Sequence, residues 1–142
     1  MTVLLDSNVL FSAILFGGIP KKILGLISEG SVRACTSPSL IEELLETLRK
    51  KTSLRNEQLL AIKSSIEDMF TIVSPREEIS VCRDPDDNEI LEAAIRGKSR
   101  YLVTRDDDLK RDLELIEVAR RHRVRVVSVR QFLRSLSRRS RR

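Results

Sequence analysis

The stretch Val3-Leu4-Leu5-Asp6 decides how the rest of the chain is interpreted, because a short apolar run is followed directly by a carboxylate. Such a run predicts a buried strand, and α/β proteins bind ligands outside the carboxyl ends of their strands. Three further acids, Glu43, Asp87 and Asp106, stand at the corresponding junctions of later elements. Carboxylates that converge there repel one another and are costly to desolvate, so they require a cation or a shared proton. The pattern indicates a hard metal ion and, with it, phosphate chemistry.

Apolar runs and helical periodicity alternate along the chain. Strands are expected at 3–5, 32–36, 71–73, 101–104 and 124–128, and helices at 8–15, 20–29, 38–50, 56–70, 84–97, 109–121 and 130–136. Strands separated by helices favour an α/β fold of three layers, α/β/α, with a mainly parallel central sheet and right-handed crossovers. We expect one domain over residues 1–136 and a basic, disordered tail over residues 137–142.

Charge is distributed unevenly between the body of the protein and its C-terminal part. Residues 119–142 contain ten arginines and no acid, and since the chain has 26 bases and 21 acids, residues 1–118 keep 16 bases against 21 acids. An acidic body therefore carries a basic C-terminal segment. Such a segment attracts nucleic-acid phosphates, or it is simply a solvated terminus.

Two cysteines are too few for a disulfide framework, and no signal region or membrane-length apolar run is present. We therefore expect a soluble, cytoplasmic protein with free thiols, in which Cys35 packs in the core and Cys82 lies in a polar loop. The single histidine, His122, is expected at the surface, and no zinc spacing, Walker loop or dinucleotide-binding glycine pattern occurs. A serine hydrolase triad would have to use that one histidine.

Four ordered motifs span the chain nearly end to end, and they resemble those of the PIN-domain nucleases, in particular the VapC-like toxin components of bacterial and archaeal toxin–antitoxin pairs. Each motif alone is weak, whereas the ordered set is fairly specific. The four motifs are Leu4-Leu5-Asp6-Ser7-Asn8-Val9-Leu10, Ser37-Pro38-Ser39-Leu40-Ile41-Glu42-Glu43-Leu44, Asp84-Pro85-Asp86-Asp87-Asn88 and Leu102-Val103-Thr104-Arg105-Asp106-Asp107-Asp108-Leu109.

The resemblance implies a metal-dependent endoribonuclease that uses a metal-activated water and one or two Mg²⁺ or Mn²⁺ ions. The residues that it implies as catalytic and metal-binding are Asp6, Glu43, Asp87 and Asp106, with Asp108 as a further candidate ligand. Supporting roles fall to Asn8, Thr104 and Asp84, and the RNA backbone would be held by Arg105, Lys110, Arg138 and Arg139. The resemblance also implies a homodimer and a small antitoxin partner, with the apolar helices near 24–27 and 59–69 as candidate surfaces unless they are core.

The residues themselves leave alternatives open for each acid. Asp6 can simply cap the helix that follows it. Asp84 can be an N-cap with Asp87 a first-turn carboxylate favoured by the helix dipole, and the run from Asp106 to Asp108 can be another helix start. Glu42 and Glu43 flank the apolar stripe of their helix symmetrically, so periodicity does not choose between them. Glu43 is selected only by the acid-then-leucine pattern of the family.

Two other functions compete with the nuclease. A phosphatase of the haloacid dehalogenase type also carries an aspartate after its first strand, but its general acid stands two residues later, where this chain has Asn8. A non-catalytic RNA-binding or partner-binding module would keep the acidic pocket only as scaffold. Its RNA affinity would not respond to metal or to Asp6→Asn.

Overall fold

The computed structural model describes residues 1–76, 79–80 and 84–140, except for the side chains of residues 139 and 140. Strands and helices alternate along most of this length. They are β1 (Thr2–Leu5), α1 (Ser7–Leu15), α2 (Gly18–Ser28), β2 (Arg33–Thr36), α3 (Pro38–Lys51), α4 (Asn56–Met69), β3 (Thr71–Ile72), α5 (Pro85–Arg96), β4 (Tyr101–Val103), α6 (Asp107–Arg111), α7 (Leu113–Arg121), β5 (Arg125–Val127) and α8 (Val129–Ser140).

The five strands form one sheet in the order β3-β2-β1-β4-β5, and every neighbouring pair is parallel. Leu4 pairs with both Cys35 and Leu102, which fixes β1 at the centre of the sheet. After β1 the chain adds β2 and then β3 on one side of it. The later strands β4 and β5 are added on the other side. The carboxyl ends of β1 and β4 therefore flank the crevice where open α/β sheets bind their ligands.

Alternate residues of each strand face opposite sides of the sheet and build two apolar cores. Val3 and Leu5 point into the core formed with α1, α2, α3, α4 and α8, whereas Leu4 points into the core formed with α5, α6 and α7. Helices thus cover both faces. The predicted fold class, a three-layer α/β/α arrangement with a parallel central sheet, is confirmed.

The predicted order of elements agrees with the structure, and the differences concern helix boundaries. The segment expected as one helix at 109–121 is two helices, because Asp112 ends α6 and its side chain caps α7 by accepting a hydrogen bond from the amide of Leu115 at 3.1 Å. The last helix was expected to end at Leu136 but extends to Ser140, so four residues assigned to the disordered tail are helical. Phe132 anchors this helix in the core.

Among the described residues, no helix is by itself long and apolar enough to cross a membrane; α1 and α2 pass that test only jointly, as a pair bent by 101°. Cys35 is buried, as predicted, with its sulfur 2.9 Å from the Ser99 hydroxyl. His122 is exposed, as predicted, and ends α7. Cys82 lies outside the described residues.

Candidate functional site

Asp6 lies directly after the central strand β1, and only 4% of its surface is exposed. One carboxylate oxygen accepts a hydrogen bond from the amide of Ser7 at 2.7 Å, so Asp6 also caps α1. The other oxygen accepts a bond from the hydroxyl of Thr104 at 2.8 Å. Burial raises the pKa of Asp6 above its ordinary value, the bonds from Thr104 and Ser7 lower it, and the charge of Asp106 raises it again. Capping and burial of this acid therefore occur together.

Asn8 and Thr104 connect the ends of β1 and β4 around this carboxylate. The Asn8 side-chain amide approaches the Asp6 carboxylate and the Thr104 hydroxyl, both at 3.4 Å, and its oxygen accepts a bond from the amide of Arg105 at 3.1 Å. Thr104 is fully buried and also accepts a bond from the amide of Asp106 at 3.0 Å. These bonds fix the orientation of Asp6 relative to the loop after β4.

Asp106 is the N-cap of α6, and its surroundings differ from those of Asp107 and Asp108. Its carboxylate accepts bonds from the amides of Asp108 and Leu109, so it caps the helix while its charge raises the pKa of Asp6. Asp107 is exposed, and a hydrogen bond and ion pair with Lys110 lower its pKa. The Asp108 side chain is exposed as well. Of the three, Asp106 is the aspartate that is electrostatically coupled to Asp6.

Asp87 lies in the first turn of α5, behind the cap formed by Asp84, whose carboxylate accepts a bond from the amide of Asp86 at 2.9 Å. Burial raises the pKa of Asp87 to about 6, and the charges of Asp84, Asp106 and Asp6 contribute to the rise. Each pKa unit corresponds to about 1.4 kcal/mol of difference between the two protonation states. Asp87 is therefore held in an unfavourable charged environment that a cation would relieve.

Glu43 approaches the same region from α3. Burial raises its pKa, a hydrogen bond from the Ser7 side chain lowers it, and the charge of Asp6 raises it. A cavity of about 220 Å³ between α3 and α5 is lined by Glu43 and Asp86, and the Ser39 hydroxyl donates to the Glu89 carboxylate at 2.5 Å across these helices. The structure thus brings Glu43 to the acids, a choice that helical periodicity alone did not make.

The donor chemistry of these acids fits Mg²⁺ or Mn²⁺ better than zinc. Their ligand atoms are carboxylate oxygens, which both ions prefer, and Mg²⁺ keeps several waters, so that one or two carboxylates suffice. Within residues 1–76, 79–80 and 84–140, no three His, Cys, Asp or Glu side chains lie close enough together to hold one ion directly. The acids are coupled through their charges without forming a closed protein cage, so any ion there needs water or substrate as further ligands.

Sequence reasoning missed two residues of this site. Ser7 was considered only as a cap, yet hydrogen bonding by its side chain lowers the pKa of Glu43. Asp112 was placed inside a helix, yet its charge raises the pKa of Asp87. The Asp112-Leu113-Glu114-Leu115 pattern, a capping residue before an apolar helix, was the available signal.

The predicted RNA-binding residues fall into two groups. Arg105 and Lys110 lie beside Thr104 along one groove, with the Arg105 guanidinium hydrogen-bonded to the Ser12 hydroxyl. Arg138 is exposed near the end of α8. The side chain of Arg139 lies outside the described residues.

Comparisons with known proteins agree with this fold. The model of the PIN domain family matches residues 2–108. The uncharacterized protein MJ1680 of Methanocaldococcus jannaschii is 37% identical over 113 residues, which cover 75% of this chain and 72% of that protein. A chain from the crystal structure of VapBC2 of Rickettsia felis bound to a DNA fragment from their promoter has a TM-score of 0.60 at 18% identity, covering 90% of this chain and 98% of its own. At that identity the likeness concerns the fold alone.

Proposed function

This chain belongs to the PIN-domain family, whose members are generally nucleases that use divalent metals, and we propose that it is a Mg²⁺- or Mn²⁺-dependent endoribonuclease. The observation that carries the proposal is Asp6, an almost fully buried carboxylate at the carboxyl end of the central strand, whose pKa is raised by burial and by Asp106. A buried carboxylate beside a second acid is costly, and a divalent cation offsets that cost. This combination is what phosphodiester hydrolysis with metal ions requires.

Each acid has a separate role in the proposal. Asp6, Asp87, Asp106 and Glu43 would hold one or two ions, directly or through water, and the exposed Asp108 is a further candidate ligand. When bound, such an ion lowers the pKa of a water molecule and offsets the charge that develops on the phosphate. Thr104 and Asn8 orient Asp6 through their hydrogen bonds, and Asp84 positions Asp87 by capping α5. Hydrogen bonds of this kind fix the orientation of side chains that bind a metal.

Basic groups beside the acids support RNA as the substrate. Arg105 and Lys110 line a groove that begins at Thr104, and α8 carries Arg138 on its exposed surface. Phosphate contacts of this type add a salt-sensitive, sequence-independent affinity. An endonuclease of this kind would leave a 5′-phosphate and a 3′-hydroxyl.

The proposal is tested with labelled single-stranded RNA, comparing Asp6→Asn with wild type in Mg²⁺ and in chelator. We expect cleavage by wild type in Mg²⁺ and a loss of at least about 100-fold in the variant, since even supporting residues of metal sites cost 10–100-fold. Asp68→Asn, which removes an exposed acid of α4, is the matched control and should cleave like wild type. Equal cleavage under all conditions would refute the nuclease proposal.

One observation favours a second candidate, a non-catalytic RNA-binding or partner-binding module. The described residues contain no ready-made group of three metal ligands. In this case RNA would bind with the same affinity with or without metal, in wild type and in Asp6→Asn, and no cleavage would follow. A phosphatase of the haloacid dehalogenase type has no such support, because Asn8 cannot act as its general acid.

We also propose that the chain is the toxin of a toxin–antitoxin pair. An apolar groove of about 250 Å³ lies between α1, α2 and α4, lined among others by Leu10, Ile14, Leu24, Ile62 and Met69. Although Leu59 and Ile66 of α4 are core, Met69 is partly exposed, so this surface can accept an apolar segment of a small antitoxin. Growth arrest on expression, relieved by the product of a neighbouring gene, would support the role, and unimpaired growth would contradict it.

The homodimer and the cytoplasmic location complete the proposal. Several large apolar side chains are exposed, among them Leu60 and Leu113, and burial of such residues can stabilise an assembly. Light scattering at several protein concentrations measures the mass directly. A monomer at every concentration would remove the homodimer without affecting the nuclease proposal.

A further inference from the structure

A groove of about 510 Å³ leads away from the acids, beginning at Thr104 and passing between the turn after α1 and the start of α8. A second depression of about 280 Å³ continues it along α2 and α8, and the two share Ile19 and Arg130. The combined groove starts at the residue that hydrogen-bonds Asp6. A polymer bound with one bond at the acids would therefore have a path along this surface.

All the charged residues among the described lining of this groove are basic. Arg105, Lys110 and Arg130 line the first part, and Lys22 and Arg134 line the second. Arg105 is held against the wall by the Ser12 hydroxyl, and Lys110 is paired with Asp107 outside the groove. A row of like charges repels itself, so a bound polyanion would stabilise it. The charge of the groove is complementary to a chain of phosphates.

Phe16 lies on the rim of the groove, and 75% of its surface is exposed. Its ring makes a T-shaped contact with the ring of Phe11, with the ring centres 6.2 Å apart and the planes at 69°. Gly17 and Gly18 follow it with φ angles of 68° and 63°, in the left-handed region that favours glycine. The turn after α1 thus presents an exposed aromatic ring next to a row of cations.

From this combination we infer that the groove binds single-stranded nucleic acid, with one unpaired base stacked on Phe16 and its neighbouring phosphates held by Arg105, Lys110 and Arg130. Aromatic rings bind bases through their faces, which are occupied in a duplex and accessible in a single strand. The inference rests on the proposed nuclease function and deepens it. It assigns Phe16 and the basic residues of this groove as the residues that hold the unpaired strand beside the acids.

The stacking contact is tested in the Asp6→Asn variant in chelator, where binding is measured without cleavage. Fluorescence anisotropy would follow a labelled single-stranded RNA of about 12 nucleotides, a length within the usual site size. Phe16→Ala should weaken binding about 5- to 150-fold, the range expected for loss of one stacked base. Phe16→Tyr should retain the affinity, because the ring is kept. Leu113→Ala, which removes another highly exposed apolar side chain on α7, should have no effect.

A set of RNAs, each with one abasic nucleotide, identifies the base that stacks. If Phe16 stacks on a base, Phe16→Ala weakens the binding of complete RNA. When the abasic nucleotide stands where the stacked base would be, Phe16→Ala and the parent variant should bind RNA with equal affinity. An equal loss for complete and abasic RNAs, or no loss at all, would overturn the inference. A dimer that dissociates in Phe16→Ala, with RNA affinity unchanged, would overturn it too and assign Phe16 to a protein contact.

The phosphate contacts are tested by salt dependence. Arg130→Gln should reduce the slope of log affinity against log salt by about 0.7, the value for one phosphate contact on a single strand. Arg100→Gln, at the opposite edge of the sheet, should leave the slope unchanged. Equal slopes in both variants and wild type would overturn the assignment of the groove.

The outcomes separate this inference from the proposed function. Metal-dependent cleavage combined with wild-type affinity in Phe16→Ala would remove the stacking site and leave the nuclease. Absence of cleavage combined with the predicted abasic pattern would remove the nuclease and leave a single-strand binding site.

Discussion

The two edges of the central sheet differ in the charge of the residues at their helix ends. At the carboxyl edge stand Asp6, Asp84, Asp106 and Asp112, each of which caps a helix. At the amino edge, a cleft of about 730 Å³ is lined by five basic side chains, together with His122 and no acid among the described lining residues: Lys98, Arg100, Arg120, Arg123 and Arg125.

Helix direction accounts for the sign of charge at both edges. In a parallel α/β fold, helices begin near the carboxyl ends of the strands and end near their amino ends. Acids are favourable at helix N-termini and bases at C-termini, each by about 0.3–1 kcal/mol. Capping and function are therefore not alternatives for these aspartates, because capping is what fixes them at the carboxyl edge.

Burial distinguishes the two edges further. The bases of the amino edge include the exposed Arg100, Arg123 and Arg125, whereas Asp6 is buried and the pKa of Asp87 is raised to about 6. Helix ends explain why acids are present at the carboxyl edge, but they do not explain why Asp6 is buried and why Asp87 lies partly buried among like charges. This electrostatic cost supports the proposal that the carboxyl edge is the functional one.

The largest effect on RNA cleavage is expected within the three consecutive aspartates of the carboxyl edge. Asp106→Asn should reduce RNA cleavage by more than about 100-fold, because Asp106 is coupled to Asp6 and Asp87 and supporting residues alone cost up to that much. Asp108→Asn should reduce it by less than about 10-fold, the lower end of that range. Gel-based cleavage rates measure both, with Arg100→Gln as the amino-edge control. A larger loss for Asp108→Asn would move the site to that residue.

Thr104→Val should reduce cleavage by about 10- to 100-fold, as expected for a residue that orients a metal ligand. Valine keeps the shape but loses both the bond to Asp6 and the acceptor for the amide of Asp106. The pKa of Asp6 should rise further, since the Thr104 bond lowers it. Thr104→Ser retains the hydroxyl and should restore most of the rate. Equal losses in the valine and serine variants would show that packing, rather than the hydroxyl, matters.

Divalent metal should stabilise the wild-type protein, because an ion bound only to the folded state adds about 2.7 kcal/mol at 100 times its dissociation constant. For a domain of this size that is a rise in Tm of roughly 5–10 °C. Differential scanning calorimetry with Mn²⁺ should show the rise in wild type and in Arg100→Gln but not in Asp6→Asn. A rise that survives Asp6→Asn would place the ion elsewhere.

Asp87→Asn should stabilise the fold at neutral pH. Because the folded-state pKa is raised, the folded chain binds more protons than the unfolded chain between the two pKa values, so stability falls as pH rises through that window, from about 4 to 6. Discounted for partial exposure, the gain in Asp87→Asn is about 1 kcal/mol above pH 6 and should vanish near pH 4. Urea unfolding in chelator at both pH values measures it, with Asp68→Asn as the control. A destabilised Asp87→Asn at neutral pH would contradict the repulsion.

The order of elements was predictable because each strand and helix carries its own local signal. Pro38 after Ser37, and Pro85 after Asp84, mark helix starts within the sequence itself. The choice of Glu43 over Glu42 was not available in this way, since both flank the same apolar stripe and only the contact with Ser7 of α1 distinguishes them. The groove beside Phe16 likewise depends on α2 and α8, which are distant in sequence. Local patterns predicted elements, whereas the site depends on how these elements pack.

The central claim is that the acids of the carboxyl edge hold a divalent cation, and a crystal soaked in Mn²⁺ tests it most directly. Anomalous diffraction should show a manganese peak within about 2.5 Å of carboxylate oxygens of Asp6 and Asp106, with waters completing its coordination. The same soak of an Asp6→Asn crystal should show no peak there. A wild-type map without manganese at these acids, under conditions in which the ion binds elsewhere on the protein, would contradict the account.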